Sequence, residues 1–100
     1  MDRTALTVVA VFHARPGAEG ELAAELEAML EPTRRETGCV NYDLHAAIDD
    51  PGLFFFHETW TSSADHQAHL LTGHVRHLLS LAPDLIDEPI RELKGARIEA

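Results

Sequence analysis

Glu58 lies in the run Phe54-Phe55-Phe56-His57-Glu58-Thr59-Trp60, with an aromatic residue two positions away on either side, and His69 follows nine residues after the tryptophan. Strand alternation puts Phe54, Phe56, Glu58 and Trp60 on one face and Leu53, Phe55, His57 and Thr59 on the other. A carboxylate among aromatic rings is costly to bury without a partner. Two readings stay open for Glu58. One is a general base whose pKa is raised by apolar surroundings, and the other is a structural carboxylate tied to an arginine or a backbone amide. The imidazole of His69 titrates near neutral pH and suits removal of a proton from a weakly acidic hydroxyl. Its alternative role is that of a hydrogen-bonded histidine on a half-buried helix. Tyr42 either donates from its hydroxyl or packs as an aromatic. Trp60 reads as core or cavity wall, with an indole N–H that requires an acceptor.

Seven histidines raise the question of a metal. His66 and His69 stand three apart on one helical face, and His74 and His77 repeat that spacing after Gly73. Joined by a carboxylate, such pairs could hold zinc or copper. Neither pair fits a closed structural-zinc pattern, and exposed histidines on a short amphipathic helix explain them as well, so no metal is expected. Cys39, the single cysteine, cannot form an internal disulfide and reads as a small packed residue ahead of a strand.

The elements that must position these groups follow from patterning. Leu6 to Phe12 is a β-branched and apolar run, a first strand closed by Arg15-Pro16-Gly17. From Ala18 the spacing turns helical, with Leu22, Leu26, Met29 and Leu30 on one side and glutamates mainly on the other. Pro32 kinks or ends this helix, and Gly38 is a stop signal. Val40, Tyr42, Leu44 and Ala46 alternate with Asn41, Asp43 and His45 in a second strand. Asp49-Asp50-Pro51-Gly52 is a turn, and Leu53 to Thr61 completes a hairpin. Ser62 or Ser63 caps a helix over 64–70, Gly73 interrupts it, a short helix over 75–81 ends before Pro83, and 90–93 forms a weak fourth strand. The order β-α-β-β-α-β is that of an α+β, ferredoxin-like fold with one four-stranded antiparallel sheet and helices on one face.

Composition limits the classes of function. The 100 residues suffice for a single domain, 1–100, with one core. A formal net charge of −9 argues against nucleic-acid and anionic-membrane partners. No apolar run reaches the ~20 residues needed to span a bilayer, and the N-terminus lacks the organisation of a signal peptide. The expected location is the cytoplasm. Strands one and three are apolar on both faces, yet helices cover only one. Val8, Ala10 and Phe12 oppose Val9 and Val11, just as Phe54 and Phe56 oppose Leu53 and Phe55. The uncovered face would be a large exposed apolar patch, and a second copy packed sheet to sheet is the simplest cover. A homodimer is expected.

Pro16-Gly17, Arg34-x-Glu36-x-Gly38-Cys39 leading to Tyr42, Glu58-x-Trp60 and His69 form an ordered series. The series resembles the antibiotic biosynthesis monooxygenase (ABM) domain family, small dimeric α/β-barrel proteins that include quinol monooxygenases. The resemblance runs roughly from Thr7 to Leu93. It implies a ferredoxin-like fold dimerised through its sheets, an apolar cavity in each subunit, and oxidation of a small quinol or polycyclic phenol by molecular oxygen. It also implies no cofactor, the protein supplying deprotonation, orientation and charge stabilisation. Substrate would bind between the open sheet face and the second helical region. His69 would take or relay the proton, Glu58 would orient His69 or share that proton, and Trp60, Phe56 and Tyr42 would hold the ring.

Two branches of the family fit poorly. Haem degraders need an asparagine on strand one and a tryptophan on the second helix, whereas this strand has no Asn and His69 takes the helix position. The polyketide-oxidising branch has an asparagine four residues before the strand-three tryptophan, where this chain has Phe56. A non-catalytic module binding an apolar metabolite, or an isomerase moving a proton on a small carbonyl compound, are the alternative functions.

Overall fold

A computed structural model describes residues 5–99. Its elements are β1 (Leu6–His13), α1 (Glu19–Glu27), α2 (Leu30–Arg34), β2 (Cys39–Ala46), β3 (Leu53–Trp60), α3 (Ser63–His69), α4 (Gly73–Leu85) and β4 (Arg91–Gly95). The strands pair antiparallel in the order β2-β3-β1-β4, which is the expected ferredoxin-like α+β fold. Val8, Ala10, Phe12, Tyr42, Phe54, Phe56 and Trp60 project from one face of the sheet into the core, against Leu22, Leu26 and Met29 and against Val75, Leu78 and Leu85. Burial of each Val, Leu, Phe and Met side chain among these stabilises the fold by ~1.5–3 kcal/mol relative to exposure. The opposite face carries Val9, Val11, Leu53 and Phe55, each only half-buried, with Leu93 exposed on the neighbouring strand. No helix among the described residues is long and apolar enough to cross a membrane.

The first helical segment breaks where Pro32 requires it. The proline ring collides with the carbonyl four residues earlier, that of Ala28, which lies between α1 and α2. Pro32 itself stands in the first turn of α2, where a missing N–H costs nothing. Gly38 then turns the chain with φ +83°, and an added Cβ would come within 2.2 Å of Asp65 Oδ2. Asp65 in turn accepts hydrogen bonds from Thr61 and Ser62, so the junction between α2 and β2 is fastened to the start of α3.

Three local expectations need correction. Val40 does not share the face of Tyr42. The register of β2 against β3 slips between Cys39 and Asn41, a bulge that leaves Val40 61% exposed. The last helix also runs through Pro83 to Leu85 instead of stopping before it. Its final turn is retained because Ala82 and Leu85 are buried. It is also tied down from outside: Arg15 donates to the Pro83 carbonyl at 3.0 Å and its backbone N–H to Leu85 at 2.8 Å. The fourth strand lies at 91–95 and is exposed throughout.

Candidate active site

Glu58 occupies the centre of the covered face, with Val8 and Tyr42 as its cross-strand neighbours. It is 3% exposed. Its Oε1 accepts the Trp60 Nε1–H at 2.9 Å, which meets the tryptophan's need for an acceptor. Burial pushes the Glu58 carboxyl up from 4.5 to about 7, against the opposing effect of the Trp60 hydrogen bond. No arginine among the described residues bonds to it. Arg34 instead donates to the Tyr42 carbonyl at 3.0 Å and to Asp43 at 3.2 Å. Glu58 is therefore a buried acid poised near neutrality, set among core side chains such as Val8, Tyr42 and Phe56.

Short helix α3 places His66 and His69 over this carboxylate. Ser62 caps the helix by accepting the Asp65 N–H at 3.1 Å, and the three-residue spacing turns both imidazoles inward. The His69 ring lies 4.8 Å from that of Trp60 and 5.6 Å from that of Tyr42. Its Nδ1 is held by Glu36 Oε2 at 2.8 Å. Burial depresses the His69 pKa, and the Glu36 carboxylate opposes that effect. With Nδ1 donating to Glu36, Nε2 of the neutral ring is the acceptor. A carboxylate–imidazole pair of this kind orients a base and stabilises the cation formed when it takes a proton.

Glu58 was expected to orient His69 or to share its proton, and the carboxylate hydrogen-bonded to His69 is that of Glu36. Glu58 is bonded to Trp60. Glu36 was visible only as part of the Arg34-x-Glu36-x-Gly38 series, because nothing local links it to a histidine 33 positions later. His74, on the first turn of α4, bonds the same Glu36 oxygen at 2.7 Å. The histidines thus group as His69 and His74 on one carboxylate, not as two i, i+3 pairs. His77 is exposed and faces Glu25 at 3.4 Å. Glu36, His69 and His74 offer three ligand atoms within 4.8 Å of one another, a set that would also suit a divalent transition metal.

A cavity of about 80 Å³ lies between the covered sheet face and the second helical region. Glu58, His69, Phe56 and Tyr42 line it, together with His66, Glu92 and aliphatic side chains of α4. The expected location was between the open sheet face and the second helical region. The cavity does lie against the second helical region, but on the covered face, because alternation carries Glu58 and Trp60 to the helix side. The open face has a broader, shallow depression around Thr7, Val9, His57 and Thr59 that holds none of the candidate acid–base groups. Trp60 is fully buried behind His69 and is absent from the cavity lining. Phe56 stacks on Tyr42 with ring centres 4.4 Å apart, so both are wall and core together. Burial and neighbouring carboxylates push the Tyr42 hydroxyl far above its ordinary pKa, which leaves it a proton-bearing donor at any working pH. Burial likewise raises the Cys39 thiol, in keeping with a packed residue and not an activated nucleophile.

The molecule is thus an antiparallel ferredoxin-like α+β sheet with an apolar pocket under its second helical region, faced by His69, which is bonded to Glu36. Residues 5–80 match the family described as antibiotic biosynthesis monooxygenase, and the chain belongs to that family. A Mycobacterium tuberculosis protein named "Putative monooxygenase Rv0793" is 34% identical over 85 residues, which are 85% of this chain and 83% of that one. Among solved structures, PA3566 from Pseudomonas aeruginosa superposes with a TM-score of 0.91 at 32% identity, covering 96% of both chains. A crystal structure described as an antibiotic biosynthesis monooxygenase superposes with a TM-score of 0.88 at 28% identity, covering 94% of this chain and 99% of that one.

Proposed function

We propose that the protein is a cofactor-independent monooxygenase that oxidises a small quinol or polycyclic phenol with molecular oxygen. The observation that carries this reading is the Glu36–His69 pair opening onto an apolar cavity beside a carboxyl group that titrates near 7. His69 Nε2 takes the hydroxyl proton, and Glu36 stabilises the resulting imidazolium. The electron-rich anion reduces oxygen: one oxygen atom enters the ring to give a quinone, the other leaves as water, and all the electrons come from the substrate. Glu58, protonated in part at neutral pH, supplies or receives the second proton. Tyr42 and Phe56 hold the ring, with Trp60 backing His69. Family membership and the name of the M. tuberculosis relative support the reaction class.

The active unit we propose is a homodimer closed through the open sheet face, which carries half-buried Val9, Val11, Leu53 and Phe55 and exposed Leu93. Substrates larger than a single ring require the leucines of the α3–α4 segment to move outward, since drug-sized ligands need roughly 300–1,000 Å³.

The test is oxygen consumption by metal-stripped protein offered a panel of quinols and hydroxylated aromatics, corrected for autoxidation and run beside His69→Ala. Metal stripping matters because Glu36, His69 and His74 offer three ligand atoms of the kind a divalent cation takes. Uptake above background that depends on His69 is expected. Absence of oxygen uptake, with proton exchange on a carbonyl substrate under argon, would replace the oxygenase by the isomerase.

A further inference from the structure

His66 is 1% exposed, and neither of its ring nitrogens has a hydrogen-bond partner among the described residues. Buried polar groups are paired with few exceptions, and each exception calls for an explanation. The ring lies on the wall of the cavity that holds His69 and Glu58. Across from it stands Glu92, carried by β4 on the cavity side of the sheet through its register with Ala10. His66 Nε2 and Glu92 Oε2 are 3.7 Å apart, too far for a hydrogen bond. The other Glu92 oxygen faces Lys94 at 3.5 Å on the rim. A hydroxyl group brought between His66 and Glu92 would accept from the imidazole Nε2–H and donate to the carboxylate, pairing one of the two His66 nitrogens.

The charges of the cavity point the same way. Its lining contains two carboxylates, Glu58 and Glu92, and neither lysine nor arginine. An anionic substituent entering it would meet Glu92, and Glu58 where ionised, with no lysine or arginine in the lining to pair it, the nearby Lys94 already standing opposite Glu92.

We infer that His66 and Glu92 form a second polar subsite that selects uncharged aromatic diols, reading a second hydroxyl remote from the one handled by His69, and that the cavity rejects carboxylated or phosphorylated analogues. The inference rests on the proposed oxidation only for the identity of the first hydroxyl. The His66–Glu92 subsite stands on its own geometry.

Binding is measured under argon through the fluorescence of Trp60, the only tryptophan, with hydroquinone, 4-methoxyphenol and 2,5-dihydroxybenzoate as probes. Wild-type protein is expected to bind hydroquinone about tenfold more tightly than its methyl ether, and the benzoate more weakly still. His66→Phe should bring the first two affinities within about twofold. Glu92→Gln, a rim substitution that leaves the core untouched, should admit 2,5-dihydroxybenzoate. No saturable binding of hydroquinone, equal binding of diol and ether by the wild type, a preference that survives His66→Phe, or continued exclusion of the benzoate by Glu92→Gln would each overturn the inference. Oxygen takes no part in these titrations. The expected pattern in a protein that consumes no oxygen sustains the subsite and defeats the oxygenase, and turnover without hydroxyl preference does the reverse.

Discussion

Glu58→Gln removes a titrating group from the middle of the sheet while keeping a side-chain oxygen for the Trp60 N–H. The folded protein binds the Glu58 proton more tightly than the unfolded chain does, since burial raises the carboxyl from 4.5 to about 7. A group raised in this way contributes stability that is fully present below the unfolded pKa and is lost as pH rises through the folded one. The window is therefore pH 4.5 to about 7. At ~1.4 kcal/mol per pH unit, the loss across it is about 3 kcal/mol. Glutamine cannot ionise, so the stability of Glu58→Gln relative to wild type should rise by about 2–3 kcal/mol between pH 5 and pH 8. Urea unfolding at both pH values and one protein concentration measures that difference. His66 and His69, depressed by burial, titrate in the opposite sense, but both proteins contain them and their effect cancels. A relative stability that stays flat or falls with pH would refute the assignment of Glu58 as a buried acid and, with it, its part in proton transfer.

Gly38→Ala should lower stability by about 1–3 kcal/mol, seen as a reduced Tm, because alanine pays the positive-φ cost and its Cβ runs into the Asp65 carboxylate. An unchanged Tm would show that the α2–β2 junction and Asp65 move apart freely. Phe55→Glu, on the open sheet face, should convert the proposed dimer to monomer by sedimentation equilibrium at micromolar concentration. A dimer that persists would place the interface elsewhere.

Much of the fold was legible because period and burial agree. Val8, Ala10 and Phe12 alternate with Val9 and Val11, and the same alternation through Phe54, Phe56, Glu58 and Trp60 identified the face on which the site is built. What was not legible depends on distant partners. Pro83 reads as a stop until Arg15, from the loop after β1, is seen holding the turn that contains it. The Val40 bulge is a matter of register with β3, which the pattern of β2 alone does not encode. His66 and His69 were visible as a spaced pair, but not as buried groups with different fates, one held by Glu36 and one unpartnered. Glu36 and Glu92 meet their histidines only through the sheet and the packing of α2 and α3. Local periodicity reports none of these contacts.

The central claim is that His69, held by Glu36, moves the substrate proton. Turnover and binding measured separately for His69→Ala on an oxidised quinol test it most directly. A fall in kcat of about 10²–10⁴-fold is expected, with substrate affinity within about threefold of wild type. A kcat within a few-fold of wild type, or a loss confined to affinity, would contradict the account and leave His69 as a contact residue.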